Sequence, residues 1–238
     1  LKEKLAAVKA QMSKEEIAAI VEETKALKKW QETPDRPEDL ATLPMLSRED
    51  MKKEAMEFYG LDPERKHIFI VGGSLGSGTL NNAMMKWISD GCPGGEGVEV
   101  IWQCGKYYKA SVDAFMEKAK TEGTGGESLK YIHHSDFIQR MDLAYASADV
   151  VISRSGASSV SELCAAHKAT IFVPSPNVAE DHQTHNAMAL VSKDAAMMIR
   201  DAEAAEKLLP TACSLIEDSG KIALLERNIA TLAKTEAA

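Results

Sequence analysis

The sequence is short of several things at once, and each shortage removes a class of function. No stretch approaches the ~18 consecutive apolar residues of a membrane-spanning helix, and no charged-then-apolar leader opens the chain. Lys and Arg number 28 against 36 Asp and Glu, a formal net charge of -8. The cations form no cluster, which excludes a nucleic-acid surface, because such a surface neutralises phosphates with grouped Lys and Arg. Any anionic ligand must be held locally. There are four cysteines, Cys92, Cys104, Cys164 and Cys213, and no CxxC pair, so neither a zinc ribbon nor a disulfide framework is present. They read as reduced thiols of a cytoplasmic protein. The zinc-peptidase motifs HExxH and HxxEH are also missing.

What is present is ordinary for a globular protein: 238 residues, 45% hydrophobic and 27% charged, enough for one good core or two smaller ones. The chain begins at Leu1, not at methionine, inside a helical pattern, and so reads as cut from something longer. From Leu1 to about Gln31 two apolar stripes, Leu5, Val8, Met12 and Ile17, Ile20, Val21, Leu27, meet at SKEE. Ser13 and Glu16 have capping-box spacing there, which predicts a helical hairpin over 1–33. Pro34, Pro37 and Pro44 then break helix and sheet alike, making 34–51 a linker or docked arm.

From about residue 52 the pattern alternates short apolar runs with longer helical stretches. Strands are expected at HIFIV (67–71), VEVIWQ (98–103), LKYIH (129–133), DVVIS (149–153), TIFVP (170–174) and AAMMI (195–199). Helices are expected near 79–90, 107–120, 137–147, 159–167 and 182–193, with a helical tail over 201–235. Val- and Ile-rich strands separated by helices predict an α/β domain over 52–238, a Rossmann-like parallel sheet with helices on both faces. In the tail, Ile222, Leu225, Ile229 and Leu232 form a stripe that needs a partner, taken to be the N-terminal hairpin or a second chain.

Ligands of such sheets bind beyond the carboxyl ends of the strands. The first loop there, GGSLGSG (72–78), can bring backbone N–H groups to a phosphate. It is not a Walker loop, since Thr79 stands where the lysine belongs, nor a GxGxxG fingerprint, since Asn81 takes the third glycine position. A tight turn with no ligand is the alternative. The second loop, in ISRSGASSVSELCAA (152–166), offers Gly156 and Ala157 for close approach, with Ser158 and Ser159 to cap a helix and face an anion. Glu162 then has two readings, the return arm of a capping box from Ser159, or a carboxylate accepting from vicinal ribose hydroxyls. The third stretch, PSPNVAEDHQTHNA (174–187), places Asp181, His182, Gln183 and His185 at a helix start, where they can meet sugar hydroxyls. His182 and His185 have the i, i+3 spacing of a metal pair but no third ligand, so no metal site is expected. The other histidines and Met84, Met85, Met197 and Met198 read as structural, solvent-facing or core residues.

Together, GGSLGSGTLNN, FIQRMDLAYASADVVISRSGASSVSELCAA and PSPNVAEDHQTHNAMAL resemble the C-terminal, donor-binding half of the MurG family, over about residues 52–236. These are peptidoglycan N-acetylglucosaminyltransferases of the GT-B fold that work at the cytoplasmic face of the inner membrane as peripheral proteins. The resemblance implies UDP-N-acetylglucosamine as donor, a membrane-bound undecaprenyl-pyrophosphoryl-muramoyl peptide as acceptor, and no cofactor. It places Ser74, with Gly72, Gly73 and Gly76, near the diphosphate and the backbone of Ile138 at the uracil edge. Gly156, Ala157, Ser158 and Ser159 would border phosphates and sugar, with Arg154 supporting the turn. Glu162 would take the ribose hydroxyls, and His182 and Gln183 the N-acetylglucosamine. Many relatives have two glutamines at the last pair. AAHKA (165–169) departs from the family's usual Gly and Pro, and Ser77 from a common Ala.

The first 50 residues resemble instead the helical hairpin and arm that link the halves of pitrilysin-type, presequence-protease-like zinc peptidases. A chimera joined near Asp50 or Met51 is the implied organisation. The acceptor site and general base belong to the MurG family's N-terminal domain, so no catalytic residue is expected in this chain, and donor binding with little transfer is the implied activity. The alternatives are a non-catalytic nucleotide-sugar binding module and a metallopeptidase fragment.

Overall fold

The computed structural model describes residues 48–176 and 181–233. The chain divides into two compact units, Leu1–Met45 and Leu46–Ala238. The expected hairpin and most of the arm lie outside the described residues.

The first described element is a helix the sequence reading did not anticipate, α1 (Arg48–Tyr59). The join expected at Asp50 or Met51 therefore falls inside a helix. Glu49 and Asp50 in its first turn complement the helix dipole. Then come β1 (Lys66–Val71), α2 (Gly78–Ser89), β2 (Val98–Gln103), α3 (Lys109–Glu122), β3 (Ile132–Ser135), α4 (Met141–Ser147), β4 (Val150–Ser153) and α5 (Ala157–Ala166). β5 (Thr170–Phe172), α6 (His182–Val191), β6 (Met197–Met198), α7 (Ala204–Glu217) and α8 (Ser219–Ala230) complete it, with short 3-10 turns at Gly126–Tyr131 and Asp201–Glu203.

The six strands form one parallel sheet in the order β3-β2-β1-β4-β5-β6. This is the strand order of a doubly wound dinucleotide fold, and it reverses direction between β1 and β4. Period-two alternation sends side chains to both faces. Ile68, Ile70, Val100, Trp102, Val150, Ile152 and Ile171 join α2, α3 and α7 in one cluster. Phe69, Val71, Ile101, Val151 and Phe172 join α4, α5 and α6 in the other.

Two expectations are corrected. Leu129–Tyr131 are not strand: Gly125 and Gly126 have φ of +81° and +55°, and the residues after them wind into a 3-10 turn before β3. The stripe of the last helix needs neither hairpin nor second chain, because Leu225 and Ile229 are fully buried in the two clusters of this same unit, and Ile222 and Leu232 pack against them.

The amino ends of the strands carry charge. Glu99 is buried and accepts from Asp62 N–H at 2.8 Å, with His133 Nε2 at 2.6 Å. His67, 1% exposed, has its ring nitrogens 3.4 Å from Glu99 and 3.8 Å from Asp149, and Asp149 also takes Lys52 at 3.1 Å.

Candidate functional site

The reversal of strand order puts a crevice outside the carboxyl ends of β1 and β4, the place where open α/β sheets bind ligands. The loops that border it are the first two singled out from sequence. After β1 the chain turns through Gly73 and Gly76, with φ of +85° and +86°, and Gly76 N–H donates to Gly73 C=O at 2.9 Å. A Cβ on Gly76 would stand 2.1 Å from the Cys104 carbonyl, so sterics and backbone both demand glycine there. Ser77 is the N-cap of α2, its hydroxyl accepting from Leu80 N–H. Gln103, at the end of β2, clamps the loop: its Oε1 accepts from Gly72 N–H at 3.2 Å, and its Nε2 donates to Gly73 C=O at 2.9 Å and to Asp136 C=O at 3.3 Å. Ser74 and Leu75 are left exposed on the crest. Asn81 sits where a dinucleotide fold would have glycine because its amide is in use, accepting from Trp102 Nε1–H and donating to Cys104 C=O, each at 2.9 Å.

After β4 the turn is braced from below. Arg154 donates to Val173 C=O and pairs with Asp201, which also accepts from the Thr79 hydroxyl at 3.0 Å. One guanidinium thus links the turn to Asp201 and, through Asp201, to Thr79 at the start of α2. Ser155 is fully buried, donating to Gln183 C=O at 2.8 Å and accepting through its own carbonyl from Asn186 at 3.0 Å. Gln183 Oε1 accepts from Ser175 N–H at 2.9 Å. These bonds fix the start of α6, with His182 exposed as its first residue, against the turn.

Helix α5 begins at Ala157 with Gly156 as N-cap, two residues earlier than expected. Ser158 and Ser159 therefore lie inside the first turn and do not cap it. Val160 N–H makes the turn's first bond, to Gly156 C=O, so the N–H groups of 157–159 precede the helical ladder and face the crevice end. Glu162 is not the arm of a capping box. Its Oε2 accepts from the Tyr145 hydroxyl at 3.0 Å. Gly156 has φ of -63°, open to any residue, and a Cβ there would meet nothing within 4 Å. The domain itself does not require glycine at this position. At the far end of α5, His167 is left-handed at φ +52°, the C-cap conformation that favours glycine.

Ile138 lies on the connection from β3 to α4 with its side chain buried, beside exposed Phe137. His182 and His185 are exposed on α6, and among the described residues no three His, Cys, Asp or Glu side chains converge as a metal site. Gln103, Tyr145, Ser155, Asn186 and Asp201 were missed from sequence. A polar residue ending the buried run VEVIWQ was a usable signal for Gln103. Nothing local marked Tyr145 or Asp201, whose partners are 17 and 47 residues away.

The family model described as "Glycosyltransferase family 28 C-terminal domain" matches residues 67–237. The chain belongs to this family. A second model, of a peptidase-associated family, matches residues 1–72. A protein of Parabacteroides distasonis named UDP-N-acetylglucosamine--N-acetylmuramyl-(pentapeptide) pyrophosphoryl-undecaprenol N-acetylglucosamine transferase is 47% identical over 192 residues, covering 79% of this chain and 48% of that protein. The chain spans about half the length of the curated relatives it matches. Among solved structures, Acinetobacter baumannii MurG superposes with a TM-score of 0.60 at 25% identity, covering 79% of this chain and 49% of that one. WaaG, a glycosyltransferase of lipopolysaccharide biosynthesis, shares the fold, with a TM-score of 0.55 at 14% identity over 79% of this chain and 48% of its own. The parallel sheet with helices on both faces is thus the GT-B architecture expected from sequence. No helix among the described residues is long and apolar enough to cross a membrane.

For a member of this family the crevice has a definite chemical character. Two helix starts, α2 and α5, present N–H groups and the positive ends of their dipoles, which suit a diphosphate. An exposed carboxylate one turn into α5 suits a pair of hydroxyls.

Proposed function

We propose that this chain is the donor-binding half of an inverting N-acetylglucosaminyltransferase of peptidoglycan lipid-intermediate synthesis, holding UDP-N-acetylglucosamine in the crevice between β1 and β4. The observation that carries this reading is Gly156: neither its backbone angles nor its surroundings require glycine, whereas a phosphate seated on the first turn of α5 would. In this reading the N–H groups of Ala157, Ser158 and Ser159 and the crest around Ser74 border the diphosphate. Glu162 accepts from the ribose hydroxyls, the backbone of Ile138 meets the uracil edge, and His182 and Gln183 meet the N-acetylglucosamine.

The reaction is a displacement in which the acceptor hydroxyl oxygen bonds to the anomeric carbon while the bond to UDP breaks. The charge gathering on UDP is stabilised by the helix starts, and the proton leaves to a base outside this chain. The acceptor is a lipid-linked muramoyl peptide, reached at the cytoplasmic face of the membrane. Positioning the attacking hydroxyl can supply roughly 7–11 kcal/mol of barrier lowering, and that task falls to the half of the relatives' length this chain does not span. The chain alone therefore binds donor and transfers little or nothing. The tandem of family matches supports a fused origin, a peptidase-linker-like segment ahead of half a glycosyltransferase.

Calorimetric titration of the 238-residue chain with UDP-N-acetylglucosamine, with UDP-glucose as control, tests the binding claim. Saturable binding that Glu162→Ala weakens is the expected result; a folded chain that binds neither nucleotide sugar refutes it. Transfer to a lipid acceptor analogue by the chain alone would refute the division of labour.

A further inference from the structure

We propose that Tyr145 is a positioning residue that holds the Glu162 carboxylate ready for the two vicinal ribose hydroxyls of a nucleoside diphosphate, an inference that rests on the donor-binding reading above. The contact joins two helices: the Tyr145 hydroxyl on α4 donates to Glu162 Oε2 on α5 at 3.0 Å. The two ends of this bond differ in freedom. Tyr145 is 8% exposed, and its ring meets Phe69 of β1 edge to face, with centroids 5.7 Å apart. Phe69 is itself fully buried, so the sheet core sets the phenol's direction. Glu162 is exposed on its helix, where a glutamate without a partner samples many rotamers and must be ordered when a ligand binds.

The stoichiometry of acceptors also fits. An ionised carboxylate offers about four lone-pair sites. Tyr145 takes one of them, on Oε2, and leaves Oε1 whole with the remaining site on Oε2 for two incoming hydroxyls. Burial, reinforced by the Glu162 charge and the hydrogen bond to it, pushes the phenol above its ordinary range, so Tyr145 remains a donor throughout physiological pH. A tyrosine that merely filled the core would contribute equally to every ligand. One that orients Glu162 contributes only to ligands carrying the hydroxyls that Glu162 recognises.

The test uses the full chain, with UDP and 2′-deoxy-UDP as probes and Tyr145→Phe, Glu162→Ala and the double variant as proteins. Tyr145→Phe keeps the buried ring and removes only the hydroxyl. It should weaken UDP binding by about three- to tenfold, the effect of one hydrogen bond of ordinary net strength, and leave 2′-deoxy-UDP binding much less changed. Glu162→Ala should bring the two affinities together, and adding Tyr145→Phe to it should change neither further. Equal losses for both nucleotides, an unchanged UDP affinity in Tyr145→Phe, or additive losses in the double variant would each overturn the inference while leaving the donor reading standing. A folded wild-type chain that binds no UDP would overturn both.

Discussion

Two glycines border the crevice and should answer the same substitution in opposite ways. At Gly156 the backbone has φ of -63° and ψ of 153°, and an added methyl would meet nothing within 4 Å. Replacing glycine by alanine where the conformation permits stabilises by about 0.4–1 kcal/mol through the unfolded chain. Gly156 is also an N-cap, a position where alanine is worse than glycine by roughly 0.5–1 kcal/mol. The two nearly cancel, and for a domain of this size 1 kcal/mol moves Tm by about 2–4 °C, so Gly156→Ala should melt within ~2 °C of wild type. Its cost should appear in binding. A methyl forced between the first turn of α5 and a seated diphosphate is an overpacked contact, which costs about 1–3 kcal/mol and corresponds to a roughly 5- to 150-fold weaker Kd. Gly76→Ala reverses the pattern. Its φ of +86° and a Cβ placed 2.1 Å from the Cys104 carbonyl force the backbone to move, with an expected loss of about 3 kcal/mol and a Tm lower by about 6–12 °C. Calorimetric melting and UDP titration of both variants check this. If Gly156→Ala binds UDP as tightly as wild type, no ligand approaches that turn, and the argument from its open space is wrong.

Two further outcomes follow from the charges. Asp201→Asn should strip Arg154 of its ion pair while its side chain stays 15% exposed. A loss of about 1–3 kcal/mol is expected, read as a lower urea midpoint at unchanged slope; a variant as stable as wild type would mean that Arg154 needs no brace. His67 titrates below its usual 6.5 because burial outweighs the pull of Asp149 and Glu99, with Lys52 adding to the depression. The unfolded chain then takes up that proton first, so the contribution is full above about pH 6.5 and is lost as pH falls below it. Melting between pH 8 and pH 5 should show a shallower acid decline in His67→Gln than in wild type, and an identical decline in both would refute the assignment.

How much could be read in advance depended on whether the deciding contact was local. Strands such as HIFIV and DVVIS announced themselves because burial on both faces demands continuous Val, Ile and Phe, and they lie within a residue of their expected places. Helix α1 was missed because SRED follows a proline-rich arm whose local grammar argues against structure, while its stabilising contacts, such as Tyr59 to the Arg140 carbonyl at 2.9 Å, come from 81 residues away. The stripe on α8 was seen correctly and its partner misassigned, because periodicity reveals that a face is buried and not what covers it. The same holds at the crevice. The turn through Gly73 and Gly76 was legible, since glycine is the residue that favours those angles. That Glu162 bonds Tyr145 and closes no capping box was not, because the partner lies 17 residues away.

The two ends of the sheet show why the open end is the one to probe. At the amino ends a buried carboxylate, Glu99, is met by a backbone N–H and by His133, while the buried ring of His67 beside it makes no hydrogen bond among the described residues. At the carboxyl ends less is answered: the leading N–H groups of α5 precede the helical ladder, the exposed Glu162 carboxylate is met by Tyr145 on Oε2 alone among the bonds described, and Gly156 stands where nothing nearby requires glycine. Three of the five large apolar side chains exposed among the described residues, Leu75, Tyr107 and Phe137, also sit there, on the loops after β1, β2 and β3. Tyr107 packs edge to face on Tyr108, whereas the open turn at Gly156 has no such internal contact. In the donor-binding reading proposed above, these polar groups and the exposed apolar side chains beside them border the ligand. On that argument, variants along this edge should change binding far more than melting, and variants at the opposite edge should do the reverse.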